Sequence, residues 1–433
     1  MSALRTFPLL ALAALVVLPV SATRAQPTTS VVDVVKVEGL VDPALDDFVR
    51  GAIQEAERTT AVVVLQIDSR GGYGERGARL GRFLRQASVP VIAWVGPAGA
   101  RAEGAAMFLV YGASVSAMAP GAGLGPALPF DVGTSVSGED PAEVARSASE
   151  LLSLASGSAV TPQGVRRVLT GPALPAGPAL AAGAVSVVAP SVCELLEKLD
   201  GTSVRMAPGP AVLSTACPGG PVTVRFEAMG PVRRVLHAVS TPLAVYLLLV
   251  LGAWGVAFEV TQPGVGLAGV AGGVFLAFAG YGLAVIPVNW LGVGLLGAGM
   301  GLQGLDVVLR RLGFLTLLGT AGFAAGSLLA WRGVAPAVDL PGWLIVVSTL
   351  AGVLFFGFGL TVALRAKERI RTAQVGLVGL VGEVRSDLNP EGGVYVKGTI
   401  WRARSVNGPI PKGTRVRVKG IDGLILRVEP EAD

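Results

Sequence analysis

Five apolar runs dominate the second half of the chain, at residues 242–258, 266–286, 290–309, 313–331 and 343–364. An α-helix rises ~1.5 Å per residue, so ~20 apolar residues cross the ~30 Å core of a bilayer. Most of the runs approach that length; the first is shorter, and the third carries Asp306 near its end. Trp290, Trp331 and Trp343 stand at run ends, where indole rings favour the membrane–water boundary. These features predict an α-helical transmembrane region of about five helices over 242–364. The composition agrees: 52% of the 433 residues are hydrophobic and 15% are charged, too apolar a balance for a purely soluble chain. The 60 glycines suit close helix packing in lipid.

Charge orients this region. From residue 365 onward there are 13 Lys/Arg against 8 Asp/Glu, which accounts for the whole net charge of +5. If the chain starts outside and crosses five times, Arg310, Arg311 and the basic run RAKERIR fall on the inner side. The loop IPVNW falls outside without basic residues, and only Arg332 breaks the pattern. This satisfies the positive-inside rule. The first 25 residues have one early arginine, an apolar stretch and small residues at Ala22 and Ala25, the outline of a secretory signal peptide. An uncleaved anchor helix is the other reading. Both place the next domain outside the cytoplasm and the C-terminal domain inside, in a plasma or inner membrane. Cys193 and Cys217 could pair in an oxidising compartment or remain separate thiols. His237 is the one histidine, so neither a Ser–His–Asp triad nor a His-rich zinc site is expected.

Residues 26–205 alternate strand-like and helix-like stretches. VVDVVKVEG, AVVVLQID and PVIAWV are rich in β-branched residues; ALDDFVRGAIQEAER, GERGARLGRFLRQA and EGAAMFLVYGA have helical spacing. Such alternation implies a mostly parallel sheet covered by helices. Residues 206–241 read as a linker with a few strand-like pieces. Residues 365–433 alternate apolar and polar positions between glycines, the pattern of a small all-β barrel of five strands and OB type. Such barrels can bind nucleic acid, but Tyr395 and Trp401 are the only aromatic residues in this one. Attraction to anionic membrane lipid accounts for the basic charge, and no nucleic-acid partner is expected.

Two turns carry the candidate chemistry. Gly71 and Gly72 follow a buried strand in QIDSRGGYGERG, where backbone N–H groups can approach a ligand or stabilise an oxyanion. A plain βα turn is the simpler alternative. Residues 99–109, GARAEGAAMFL, form a strand-to-helix turn without a serine, threonine or cysteine. The stretches IDSRGG, VPVIAWVGPAGARAEGAAMFL, SAMAPGAGLGPALP and LLEKLDG resemble the membrane-bound, ClpP-class serine protease domain of the NfeD family, partners of stomatins. YLLLVLGAWGVAFEVTQPGVGLAGVAGG resembles that family's membrane region, and GLVGEVRSDLNPEGGVYVKGTIWRARSV its C-terminal OB domain.

The resemblance implies a ClpP/crotonase-like spiral of ββα units and a serine–lysine dyad. An unprotonated lysine would activate the serine, and the Gly71–Gly72 turn would hold the oxyanion or an extended peptide. The family pattern resembles GARAxSAG; here the serine position is Gly104, followed by Ala106 two residues on. An ungapped comparison puts the lysine at Ala142, and no lysine lies between Lys36 and Lys198. A family motif similar to GRN is replaced by GSAVTPQG. The expectation is therefore a catalytically inactive homologue that scaffolds a stomatin/SPFH-like protein, binds an apolar peptide segment and assembles with its own copies, with no cofactor and no metal. An active endopeptidase with an unplaced nucleophile and base is the alternative. Ser114 and Ser116 fall on a strand beneath the site and read as structural. Glu103 reads as a helix-start residue without a catalytic partner. Glu259, Gln262 and Asp306 fall at span ends, where an acid marks an ion path less readily than within a span.

Overall fold

A computed structural model describes residues 30–59, 61–73, 75–131, 141–215, 222–261, 266–309, 313–331, 340–360 and 376–431. The signal-peptide reading, Cys217, Gln262, Arg310, Arg311, Arg332 and the RAKERIR run lie outside the described residues.

The first domain begins with β1 (Ser30–Glu38), α1 (Pro43–Thr59), β2 (Val62–Asp68) and α2 (Arg76–Arg85). It continues with β3 (Val91–Val95), β4 (Arg101–Ala102), α3 (Ala106–Gly112), β5 (Val115–Met118) and β6 (Gly123–Leu124). Then come α4 (Pro141–Ala155), α5 (Pro162–Thr170), β7 (Leu174–Pro175), α6 (Ala176–Ala181), β8 (Val187–Val188) and α7 (Val192–Leu199). A two-stranded ribbon of β9 (Ser203–Met206) and β10 (Gly209–Val212) follows, then β11 (Val222–Glu227) and α8 (Pro231–Val239).

Six strands form one parallel sheet in the order β11-β1-β2-β3-β5-β8, and β4, β6 and β7 make a small second sheet. Two of the main strands feed a short crossing strand and then a helix, as β3–β4–α3 and β5–β6–α4. This is the ββα spiral of the ClpP/crotonase fold. The continuous apolar runs follow from it: a parallel strand is covered on both faces, and all five residues of β3 are buried. On α1 the core side chains Leu45, Phe48, Val49, Ile53 and Ala56 recur at helical spacing. Asp42 starts that helix by accepting from Leu45 N at 2.8 Å.

Residues 206–241 do more than link. β11 pairs in parallel with β1 at the sheet edge, with Arg225 opposite Asp33. Asp33 is 1% exposed, and Arg225 grips it with two bonds of 2.8 and 2.9 Å. A carboxylate in a buried strand needs such a partner, and the bidentate fork supplies it. α8 then packs between α1 and the apolar helices.

The five expected apolar runs form α9 (Pro242–Thr261), α10 (Leu267–Val285), α11 (Trp290–Leu309), α12 (Phe314–Leu329) and α13 (Gly342–Val353). The last continues as a π-helical segment, Leu354–Leu360. Among the described residues, Pro242–Val260 and Leu267–Val285 are each long and apolar enough to cross a bilayer unaided. Glycines bring the α11 and α12 backbones together: a Cβ at Gly299 would stand 2.4 Å from Phe323 N, and one at Gly326 2.2 Å from Leu296 N. Asp306 caps α12, accepting from Gly313 N at 3.1 Å, Thr316 N at 2.8 Å and the Thr316 hydroxyl. Glu259 similarly receives Gly269 N at 3.4 Å. Both acids therefore serve helix starts.

The C-terminal strands β12 (Val381–Val384), β13 (Glu391–Val396), β14 (Thr399–Ser405), β15 (Arg415–Asp422) and β16 (Ile425–Pro430) close a barrel in the order β12-β13-β14-β16-β15. The expected five-stranded OB-type barrel is present, with β14 and β16 the one parallel pair. Alternate residues fill it, among them Val394, Val396, Val416, Val418, Leu426 and Val428.

The first domain is anchored to the apolar helices around α8. Tyr73 is 3% exposed and packs with Val245 and Tyr246 of α9; its hydroxyl donates to Ser240 O at 3.2 Å. His237 places Nδ1 3.0 Å from Asp42 Oδ2 and Nε2 3.0 Å from Glu38 O. Both ring nitrogens face acceptors, which favours the imidazolium. The hydrogen bond to Asp42 raises the His237 pKa above its ordinary 6.5, burial opposes that, and the Asp42 charge adds to it.

Two outcomes follow. Gly299→Leu forces α11 and α12 apart and should lower stability by at least about 2 kcal/mol, read as a lower melting temperature in detergent. The raised His237 pKa stabilises the fold fully below its unfolded value, and that contribution is lost as pH rises through the folded value. The melting temperature should fall as pH climbs from 6.5 through that raised value, and His237→Gln should flatten the dependence. An unchanged slope in the variant would refute the assignment.

Candidate functional site

The Gly71–Gly72 turn follows β2, and the Gly104 turn leads into α3; the fold puts them in contact. A Cβ placed on Gly104 would stand 3.2 Å from Gly71 Cα. Glycine is imposed at Gly72, where a Cβ would stand 2.8 Å from the Val41 Cβ and 3.1 Å from the Ala105 Cβ. Val41 braces the turn from the other side: its N–H donates to Gly71 O at 2.9 Å, and its carbonyl accepts from Tyr73 N at 3.2 Å. The Ser69 hydroxyl donates to Gly71 O at 3.2 Å. Among the described residues the N–H groups of Gly71, Gly72 and Ala105 have no acceptor. These are the donors that an oxyanion or an extended peptide would use.

Gly104 has a φ of +55°. Its N–H donates to Pro126 O at 2.9 Å, and a Cβ there would meet Pro129 O at 2.9 Å. A side chain at this position would be strained by the backbone and crowded by a carbonyl. The turn itself is held by packing. A Cβ on Gly77 of α2 would stand 2.5 Å from Ala105 O, so α2 sits directly on the start of α3.

Beside this turn lies a cleft of about 400 Å³, lined by Glu75, Arg82, Ala105, Phe108, Phe130 and Glu143 among others. Ala142, at the expected lysine position, is an exposed residue on the first turn of α4 and adjoins Glu143. The spacing in sequence thus brings Gly71, Gly72, Gly104 and the start of α4 to one region. The cleft's charged groups pair with one another: Arg82 bonds Glu150, and Arg146 lies 3.5 Å from Glu143 and 3.9 Å from Glu75. Ser147 also lines the cleft, a hydroxyl with no local sequence motif to mark it; its charged neighbours there are carboxylates and guanidinium groups. Neither is an effective base for a serine at neutral pH.

The other candidates take structural places. Glu103 pairs with Arg101 at 3.0 Å. Ser114 N donates to Val91 O, and the Ser116 carbonyl accepts from both Ser186 N and the Ser186 hydroxyl, all tying the sheet together. Cys193, on α7, is disulfide-bonded. Among the described residues no group of three or more His, Cys, Asp or Glu could hold a metal ion.

Residues 243–362 match the family model of the NfeD integral membrane domain, and residues 375–430 that of the NfeD-like C-terminal, partner-binding domain. Over 416 residues the chain is 29% identical to a membrane-bound protease of Pyrococcus horikoshii, covering 93% of this chain and 94% of that protein. The solved C-terminal domain of a stomatin operon partner protein from the same organism is 48% identical, with all of it covered by 14% of this chain and a TM-score of 0.14. A membrane-bound stomatin-specific protease, solved as a lysine-to-alanine mutant with a substrate peptide, is 26% identical. It aligns over 49% of this chain and 98% of its own, with a TM-score of 0.45. This integral membrane protein thus carries the two NfeD family domains in sequence order, and along nearly its whole length it is similar to a membrane-bound protease.

Proposed function

We propose that this protein is a catalytically inactive ClpP-class homologue that acts as a membrane scaffold. It holds an extended, apolar peptide segment at the Gly71–Gly72 turn and associates with a stomatin/SPFH-like membrane protein. The observation that carries this reading is the turn before α3. The nucleophile position is Gly104, with a left-handed backbone and a carbonyl 2.9 Å from where a Cβ would stand. The base is missing as well, since no lysine lies between Lys36 and Lys198. What remains is a braced turn with free N–H donors, which can bind a peptide backbone without cutting it.

The names of the relatives supply the partner class: one is a stomatin operon partner, another a stomatin-specific protease. The C-terminal barrel is the element proposed to engage that partner, in keeping with its family description. The charge pattern and the disulfide at Cys193 support a first domain outside the cytoplasm and a barrel inside, with residues 1–25 as the signal peptide. Domain limits of 26–205, 206–241, 242–364 and 365–433, and assembly with further copies, belong to the same proposal.

The test uses the full-length protein in detergent or nanodiscs. Incubated with apolar peptides it should give no cleavage, and a serine-directed probe should not label it. Cleavage by the unmodified protein would end the scaffold reading and establish the active endopeptidase instead. Gly104→Ser should also stay inactive, for want of a base, and should lose about 1–2 kcal/mol of stability from the left-handed position. Peptide binding should persist in the unmodified protein and weaken at least about tenfold in Gly72→Val, a loss of ~1.4 kcal/mol. Co-expressed stomatin-like protein should co-purify with the full chain and be lost on removal of residues 376–433.

A further inference from the structure

Among the described residues four buried polar atoms of the helix bundle lack a protein partner: Trp331 Nε1 just beyond α12 and, apart from it, Trp254 Nε1 on α9 and Gln303 Oε1 and Asp306 Oδ1 on α11. Gln303 and Asp306 are 1% and 0% exposed. The other half of each side chain is already committed. Gln303 Nε2 donates to Thr320 Oγ1 at 3.0 Å, and that hydroxyl donates to Thr316 O at 2.8 Å, which fixes the amide orientation. Asp306 Oδ2 receives the donors that cap α12. Hydrocarbon offers no hydrogen bonds, so each remaining atom needs an internal partner.

The mixture of the last three atoms identifies that partner. Two are acceptors and one is a donor. A bare cation would suit the oxygens but face the indole N–H; an anion would suit the indole and be repelled by Asp306. Water donates and accepts, and meets all three needs.

Gly352 on α13 leaves the room. A Cβ there would stand 3.5 Å from Trp254 Cζ2 and 3.7 Å from Gln303 Oε1, so both groups face the side chain that glycine lacks. In the indole ring Cζ2 adjoins the carbon that carries Nε1. Asp306 lies one turn further along the same face of α11. Aromatic walls enclose the place: Trp254 stacks on Phe355 at 5.3 Å, and Phe355 meets Phe356 edge-on at 4.9 Å. Directly beyond Gly352 the helix widens into its π-helical segment, a change of geometry that recurs at functional sites. We propose that Trp254, Gln303 and Asp306 line an intramembrane binding site, between α9, α11 and α13, whose ligand is water.

The test is thiol labelling of the full-length protein in lipid nanodiscs by a small water-soluble methanethiosulfonate. Among the described residues no cysteine is free, so the native background is silent. Reaction needs a thiolate, and a thiol ionises only where water reaches it. Gly352→Cys should label at least about tenfold faster than Val347→Cys, whose position is 53% exposed on the outer face of α13. Equally slow labelling of both overturns the proposal. A second measurement leaves the site intact: with 15N-labelled tryptophan, the Trp254 indole N–H, assigned by its loss in Trp254→Phe, should show a cross-peak to water. Absence of that cross-peak overturns it too. A melting temperature that rises with sodium and not with potassium would identify a cation ligand and overturn the assignment to water.

Discussion

The bond from the Tyr73 hydroxyl to the Ser240 carbonyl is the constraint on which the rest of the molecule leans. A buried phenol without an acceptor costs about 1–3 kcal/mol, so the ring can sit among Val245 and Tyr246 only because that carbonyl is there. Burial, and then the charge of Asp42, keep its proton in place by pushing its pKa upward. Tyr73 directly follows Gly72, so whatever fixes the ring fixes the turn. Val41 is bonded to both sides of that turn, and Asp42 next to it caps α1 and meets His237 on α8. One continuous set of bonds therefore runs from the start of the membrane helices to the candidate peptide-binding turn.

The form of the turn is set by packing and not by the side chain at position 104. α2 and α3 pack backbone to backbone: a Cβ on Gly81 would stand 2.6 Å from Phe108 O, and one on Gly112 2.5 Å from Gly81 O. These approaches belong to the core and would be costly to lose. A nucleophile at position 104 would contribute nothing to that packing; it would add strain at a left-handed residue beneath the Pro129 carbonyl. The proposed loss of the catalytic pair would therefore leave this packing intact.

Much of this architecture is legible in the sequence because its signals are local. The apolar runs give α9 to α12 to within a few residues and the start of α13, and the β-branched stretches give β1 to β3. The alternating tail gives the barrel. What escapes is whatever depends on distant partners. β11 joins β1 in parallel across 192 residues, and a parallel pair leaves no turn signature between its strands. The strand β1 also carries Lys36 and Glu38, so Asp33 alone does not announce that an arginine must arrive from elsewhere. Asp306 in an apolar run reads as an anomaly until α12 folds back on it. At the site, glycine after a strand indicates a close approach, while the carbonyl that crowds Gly104 comes from a segment no spacing rule connects to it.

The edge position of β11 bears on the order of events during synthesis. The strand β1 is made well before its outer neighbour β11, which ends at Glu227 and emerges only shortly before α9 begins at Pro242. Until then β1 carries an unpaired edge and Asp33 has no counter-charge. An open strand edge invites wrong partners. The domain is therefore completed at nearly the moment its first apolar helix must enter the bilayer, which couples folding on one side of the membrane to insertion through it.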